Sequence, residues 1–129
     1  MKILIIEDEI LIQRSLQKLL ELRGVKVDAH DLGKNAIQMI LENNYDRILC
    51  DLMLKDVNGF DIIEESKKTY STHEISKKFS IMTAYNSVQI IDRAQKYQCP
   101  ILSKPFHDIQ QTLDFVVETT EGEVYVKKD

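Results

Sequence analysis

The sequence of 129 residues contains only two cysteines, Cys50 and Cys99. Two are too few for a disulfide framework, and both lie inside or beside apolar runs, so we expect reduced thiols in the core. The three histidines show no spacing that would complete a zinc site with these thiols. The cysteine content therefore favours neither a disulfide scaffold nor a zinc protein.

The chain also lacks an excess of basic residues, and its formal net charge is −4. A domain that neutralises nucleic-acid phosphates normally carries a basic surplus, so direct nucleic-acid binding by this segment is not expected. No apolar stretch approaches the length of a membrane span, and the N-terminal KILII is interrupted by Glu7 too early for a signal peptide. We therefore expect no membrane insertion and a cytoplasmic location.

The composition, with 43% hydrophobic and 29% charged residues, is that of an ordinary globular protein. The length is typical of one domain. We expect this domain to cover residues 1–120, with residues 121–129 as a C-terminal tail or the start of a linker. The tail sequence GEVYVKKD fits a short strand, a helix-capping tail and a linker equally well.

Short apolar runs alternate with helical patterns five times along the chain. The predicted strands are 2–6, 25–30, 47–50, 79–82 and 100–103. The predicted helices are one that ends at Gly24, 33–43, one that opens at Asn58-Gly59, 87–97 with Asn86 or Ser87 as N-cap, and about 108–118. The segment STHEISKK holds one aliphatic residue and is predicted as a surface loop. This order predicts an α/β fold, a doubly wound five-stranded parallel sheet with helices on both faces.

Polar residues follow four of the apolar runs directly. They are Glu7 and Asp8, Asp51, Thr83, and Lys104. Because the carboxyl ends of parallel strands open on one edge of the sheet, we expect these side chains to meet there. Three carboxylates, a hydroxyl and an ammonium suit a divalent cation and a phosphoryl group.

Each of these residues also has an ordinary interpretation when taken alone. Glu7 and Asp8 could be loop carboxylates, with Asp8 capping the first helix. The ammonium of Lys104 could reach solvent or pair with a carboxylate or phosphate. Thr83 could be a plain strand-end threonine. For Asp51 this interpretation is weaker, because a charge within a hydrophobic run needs a partner or a function.

Four motifs, ILIIED, LCDLMLKDVNGFDII, IMTA and LSKPF, occur in an order and spacing that resemble the receiver domain of bacterial two-component response regulators. The resemblance covers residues 2 to about 118 and implies a flavodoxin-like fold of receiver type. It implies that Asp51 accepts a phosphoryl group and that Mg²⁺ is bound by Asp8, by Glu7 through water and by the Met53 backbone carbonyl. It also implies that Lys104 pairs with the phosphoryl oxygens and that Thr83 hydrogen-bonds to them.

The same resemblance implies a sensor histidine kinase or a histidine phosphotransfer protein as donor and a downstream protein as target. The chain would be a signalling domain that catalyses only its own phosphorylation and dephosphorylation. Its end near the end of a receiver favours a single-domain protein resembling the chemotaxis regulators. The receiver half of a longer DNA-binding regulator would look the same.

The family usually has an aromatic residue where this chain has Ile101, so an aromatic switch at that position is excluded. Tyr85 is a candidate for the exposed signalling surface. A haloacid dehalogenase-type phosphatase would also use aspartate, threonine, lysine and Mg²⁺, but it needs a second aspartate where Met53 stands. A flavodoxin-like nucleotide-binding module would need a glycine-rich loop after the first strand, and EDEILIQ contains no glycine.

Overall fold

The computed structural model describes residues 1–85 and 87–118. It contains a five-stranded parallel sheet in the order β2-β1-β3-β4-β5. The strands are β1 (Lys2–Ile6), β2 (Lys26–His30), β3 (Arg47–Asp51), β4 (Phe79–Thr83) and β5 (Ile101–Ser103). The helices are α1 (Ile10–Leu22), α2 (Gly33–Glu42), α3 (Gly59–Ser66), α4 (Thr72–Lys78), α5 (Val88–Tyr97) and α6 (Ile109–Glu118). The proposed tail after residue 120 lies outside the described residues.

Helices cover both faces of the sheet, as the sequence predicts. Side chains alternate across each strand, so Leu4 and Ile6 enter one core while Ile3 and Ile5 enter the other. The first core is completed by α2, α3, α4 and α5, and the second by α1 and α6. The predicted doubly wound α/β fold is confirmed.

Strand β2 lies at one edge of the sheet. In β2 the residues are half-buried except Lys26, which is exposed, whereas Ile3 to Ile6 of the neighbouring β1 are fully buried. Cys50 and Cys99 are free and buried, which confirms the expected core thiols. Burial raises the pKa of Cys50, and it raises that of Cys99 to about 12, so both thiols are protonated at neutral pH.

The prediction of a surface loop over STHEISKK is wrong, because residues 72–78 form α4. Ser71 and Glu74 make a capping box, in which Ser71 Oγ accepts from the Glu74 N–H and Glu74 Oε1 accepts from the Ser71 N–H. Ile75 is buried in the core below the helix. The capping box and the buried Ile75 side chain therefore both support this short helix.

The first and fifth helices test two further predictions about helix caps. Helix α1 has Glu9 at its N-cap, so Asp8 is not the capping residue. Helix α5 begins after Ser87, whose hydroxyl accepts a hydrogen bond from the Ile90 N–H at 3.3 Å. This confirms Ser87 as the N-cap, and the alternative Asn86 lies outside the described residues.

Among the described helices, none has the length and hydropathy needed to span a membrane.

Candidate functional site

Four strand ends place the candidate residues along one edge of the sheet. Ile6 is in register with Cys50, Asp51 with Met82, and Thr83 with Ser103. The residues that follow β1 and β5 therefore emerge beside the last residues of β3 and β4. The parallel register brings these residues together, although helices and loops separate β1, β3, β4 and β5 along the chain.

Three carboxylates gather at this edge. Oxygen atoms of Glu7, Asp8 and Asp51 lie within 4.8 Å of one another. Glu7 and Asp51 are buried, and Asp8 is half-buried. Carboxylate oxygens at this spacing are the donors that a hard divalent cation prefers, so the cluster fits Mg²⁺.

The ammonium of Lys104 neutralises part of this charge. Its Nζ pairs with Glu7 Oε1 and lies 3.5 Å from Asp51 Oδ2, and the side chain is only 10% exposed. Of the two interpretations of Lys104, the structure therefore has the ion pair and not the solvent-exposed ammonium. One ammonium among three carboxylates leaves two formal negative charges, the charge that a divalent cation would balance.

Glu7 is held by its backbone and side chain together. Its N–H donates to the His30 carbonyl at 3.0 Å, and its own carbonyl accepts from Gln13 Nε2 at 2.9 Å. Its Oε2 accepts from the Glu9 N–H at 3.2 Å. Burial raises the pKa of Glu7 to about 7, although its bond to Lys104 lowers it.

The pKa of Lys104 is also raised. Burial works against the charged ammonium, but the hydrogen bond to Glu7 and the charge of Asp51 outweigh that cost. At neutral pH the ammonium is therefore charged and can serve as a fixed cation beside Asp51.

Thr83 ends β4 as a buried side chain, 1% exposed. Its Oγ1 accepts a hydrogen bond from the Tyr85 N–H at 3.0 Å, and its carbonyl accepts from the Lys104 N–H at 2.9 Å. The hydroxyl proton remains available for donation to another acceptor. Thr83 thus connects the loop after β4 to the lysine that follows β5.

Two residues proposed for the switch lie in different environments. Tyr85 is 60% exposed and can belong to a signalling surface. Ile101 is 1% exposed, stands opposite Ile81 in the sheet and packs in the first core. Its side chain is therefore a core element and no part of an exposed surface.

The loop between β3 and α3 follows directly after Asp51. The Gly59 N–H donates to the Leu52 carbonyl at 2.8 Å, and Asn58 Oδ1 caps α3 by accepting from the Phe60 N–H at 2.8 Å. Met53, 56% exposed, faces Asn58 across an isolated antiparallel bridge. These contacts position the backbone that follows Asp51.

Sequence reasoning missed the functions of two residues in this region, Asp56 in the loop and Gly59 at the start of α3. A Cβ at Gly59 would stand 2.8 Å from the Asp51 carbonyl oxygen, so only glycine allows this close approach. The carboxylate of Asp56 accepts N–H bonds from Gly33 and Lys34, both at 2.9 Å, and so caps α2 from a distant loop. The adjacent Asn58-Gly59 pair signalled a helix start, but nothing local indicated the partner of Asp56.

Comparisons with known proteins agree on one family. The family model described as "Response regulator receiver domain" matches residues 3–116. Response regulator ArlR of Staphylococcus saprophyticus is 37% identical over 117 residues, which are 87% of this chain and 49% of ArlR. The chain thus spans about half the length of that relative.

Solved structures show the same architecture. The non-phosphorylated HemR receiver domain from Leptospira biflexa superposes with a TM-score of 0.81 at 25% identity, covering 98% of both chains. Vibrio cholerae chemotaxis protein CheY4 superposes with a TM-score of 0.80 at 18% identity, over 92% of this chain and 98% of CheY4. At that identity the second likeness concerns the fold alone.

Proposed function

The chain belongs to the response regulator receiver domain family of two-component systems, in which an aspartate is phosphorylated, and from this premise we propose that Asp51 is the phosphoacceptor. The phosphatase and nucleotide-binding alternatives are not favoured by the family match. The observation that carries the proposal is that Asp51 lies within 4.8 Å of the other two carboxylates and 3.5 Å from the Lys104 ammonium.

Accessibility and charge favour Asp51 over the other two carboxylates. Glu7 is 0% exposed and already bonded to Lys104, so a phosphoryl donor cannot reach it. Asp51 is 6% exposed, and its Oδ2 lies 3.5 Å from the ammonium that would neutralise an incoming phosphoryl group. Asp8 is half-buried and forms no ion pair with Lys104 in the described part of the chain.

Receiver domains generally bind Mg²⁺, and here Glu7, Asp8, Asp51 and the Met53 backbone carbonyl would hold it. When bound, the ion supplies positive charge to the phosphoryl oxygens during transfer. Because burial raises the pKa of Glu7, binding of the ion would be accompanied by loss of the Glu7 proton.

In the proposed transfer, an Asp51 carboxylate oxygen forms a bond to the phosphorus of a phosphohistidine. The phosphorus–nitrogen bond breaks, and its electron pair stays on the imidazole of the donor. Lys104 turns its N–H groups toward the phosphoryl oxygens as their charge develops. Hydrolysis of the resulting acyl phosphate by water restores Asp51 and releases inorganic phosphate.

The product would act through Thr83. A phosphoryl group brings about two negative charges, and the buried Thr83 hydroxyl can donate its proton to one of the new oxygens. Because Tyr85 N–H is bonded to the same hydroxyl, movement of Thr83 carries the loop toward α5 with it. A histidine kinase or a phosphotransfer protein would phosphorylate Asp51. A downstream protein would then recognise the changed surface on α5, β5 and α6.

The test is phosphorylation by a small acyl-phosphate donor. The wild-type chain is mixed with Mg²⁺ and acetyl phosphate, and intact mass is measured with and without a chelator. We expect one phosphate on the wild type and on the control Asp92→Asn, and none on Asp51→Asn. Absence of an adduct on wild type, or an equal adduct on Asp51→Asn, would refute the assignment of Asp51.

A further inference from the structure

A second candidate site lies between α3, α4 and α5, in a cavity of about 550 Å³. Its lining includes Glu64 and Lys67 from the end of α3 and Arg93 and Lys96 from the second half of α5. In a parallel α/β fold the helices run back from the carboxyl edge of the sheet, so these residues lie toward the opposite edge from Asp51. The cavity is therefore separate from the carboxylate cluster.

The charge of the cavity is opposite to that of the chain. Lys67, Arg93 and Lys96 contribute three cations against the single carboxylate of Glu64. That carboxylate is already satisfied, because Lys67 Nζ lies 3.0 Å from it and the Tyr97 hydroxyl donates to it. Two formal positive charges remain in a chain whose net charge is −4.

The two remaining cations differ in their freedom. The Arg93 guanidinium lies 4.6 Å from the centre of the Phe60 ring, which stacks on Tyr97 at 5.9 Å. This cation–π contact orients Arg93 before any ligand arrives. Lys96 forms no ion pair within the part of the chain that the structure describes. One oriented guanidinium and one unpaired ammonium form a receptor for a doubly charged anion.

The remaining walls are suited to the organic part of such an anion. The half-buried Tyr97 ring offers an apolar surface and Thr72 offers a hydroxyl in the same lining, whereas Ile75 is 1% exposed and presents almost no surface to a ligand. The volume is in the range of small-molecule sites, which combine apolar walls with a few polar groups. A bare inorganic ion would leave most of this space unused.

We propose that this cavity binds a small organic phosphate monoester, with the phosphate on Arg93 and Lys96 and the organic group against the Tyr97 ring and beside Thr72. Because α5 follows β4, which ends in Thr83, an occupant would contact a helix that the proposed signalling function uses. The binding itself does not depend on phosphorylation of Asp51.

Phenyl phosphate is the probe, titrated into the full unphosphorylated chain by calorimetry and by amide NMR shifts. The buffer contains a chelator, which keeps the carboxylate cluster negatively charged and repellent to phosphate. We expect a dissociation constant of about 1 mM or tighter and shifts at Lys67, Thr72 and Gln98. Arg93→Gln and Lys96→Gln should each weaken binding about tenfold, as loss of a charged hydrogen bond does.

Two comparisons make the result decisive. Lys18→Gln removes the same charge from the exposed face of α1, on the other side of the sheet, and should leave the affinity unchanged. Arg93→Lys should retain more affinity than Arg93→Gln, with thermal unfolding confirming that all variants fold. The proposal is overturned if Lys18→Gln weakens binding as much as Lys96→Gln does. It is also overturned if inorganic phosphate binds as tightly as phenyl phosphate, or if the wild type shows no amide shifts at the cavity. Asp51→Asn should bind the probe normally, which separates this proposal from the phosphoacceptor assignment.

Discussion

Gly59 lies against the backbone of the proposed phosphoacceptor so closely that a methyl group on it would stand 2.8 Å from the Asp51 carbonyl oxygen. The Leu52 Cα would be 3.0 Å from the same methyl group. Both neighbours are backbone atoms, which cannot rotate away as a side chain could. The start of α3 and the end of β3 are therefore a single close-packed unit.

Gly59→Ala should lower the free energy of unfolding by about 1–3 kcal/mol, the usual cost of overpacking. It should also slow phosphorylation by acetyl phosphate, because the shifted backbone displaces Asp51 from its partners. Chemical denaturation and time-resolved intact mass would measure the two effects. Gly24→Ala is the comparison: its φ of 82° disfavours alanine, but within the described residues no atom beyond its two chain neighbours lies within 4 Å of the new methyl group. Gly24→Ala should lower the free energy of unfolding yet leave the phosphorylation rate unchanged. Equal slowing of phosphorylation in both variants would contradict a specific effect of the contact between Gly59 and Asp51.

Glu7→Gln should stabilise the metal-free protein at alkaline pH. The folded pKa of Glu7 is raised from 4.5 to about 7, so the folded state holds more protons than the unfolded state between these values. Its contribution to the free energy of unfolding therefore falls as pH rises from about 4.5 to about 7 and is constant above that. Glu7→Gln has no carboxyl group at this position, so this decrease in the free energy of unfolding is absent.

The expected gain for Glu7→Gln at pH 8 in chelator is about 1–3 kcal/mol, measured by denaturation at several pH values. Glu21→Gln, on the exposed surface of α1, should follow the wild-type pH dependence. Added Mg²⁺ should stabilise wild type more than Glu7→Gln, because the variant lacks one carboxylate. A wild-type curve parallel to that of Glu7→Gln from pH 4.5 to 8 would show that burial does not oppose ionisation of Glu7.

Asp56→Asn should remove the cap that joins the loop after β3 to α2. Desolvation is the largest single influence on Asp56 and opposes its ionisation, but hydrogen bonds from the N–H groups of Lys34, Gly33, Asp56 itself and Val57 together outweigh it and lower the pKa. An amide can supply only one of the two acceptor oxygens, so we expect a loss of about 1 kcal/mol at pH 7.

The pH dependence of this loss has a definite sign. A lowered carboxyl pKa gives stability that is present above the unfolded value of about 3.9 and is lost as pH falls through the folded value. The difference between wild type and Asp56→Asn should therefore shrink below about pH 4. Asp92→Asn, an exposed aspartate on α5, should show no such difference. A difference that persists unchanged into acid would mean that the carboxylate is not the cap.

Ile101→Tyr should leave Asp51 phosphorylation intact while altering affinity for a cognate partner and costing about 1–3 kcal/mol of stability. The cost follows from its burial, since Ile101 is 1% exposed and packs beside Ile81. Ile101→Val should cost less, about 0.5–1.5 kcal/mol, and should not alter partner affinity. Equal partner affinity in wild type and Ile101→Tyr would remove this position from the switch.

The carboxylate cluster shows how far local sequence reasoning reaches. Asp51 was a charge inside an apolar run, and the only general rule needed was that parallel strands end on the same edge. The choice of partner for Lys104 required distances, because its ammonium contacts Glu7, 97 residues away in sequence. Burial of that pair, and with it the raised pKa of Glu7, is a property of the packed protein.

Helix α4 is a different case, because its signal is local and two local signals disagree. The Ser71 and Glu74 spacing is that of a capping box, whereas the low aliphatic content favoured a loop. Ile101 is the opposite case, because its local sequence does not show where its side chain lies. The motif identified its position in the chain, but only the sheet register shows that the side chain faces the core.

The sequence by itself determined the alternation of strands and helices, the parallel sheet and the set of polar residues at its carboxyl edge. These follow from side-chain periodicity and from the direction of the strands, which are local properties of the chain. Only the tertiary structure decided that Lys104 pairs with Glu7, that Asp56 caps α2, that Gly59 contacts Asp51, and that three helices enclose a positively charged cavity. Each of these depends on distances between residues far apart in sequence, because packing and not the local pattern sets which side chains meet.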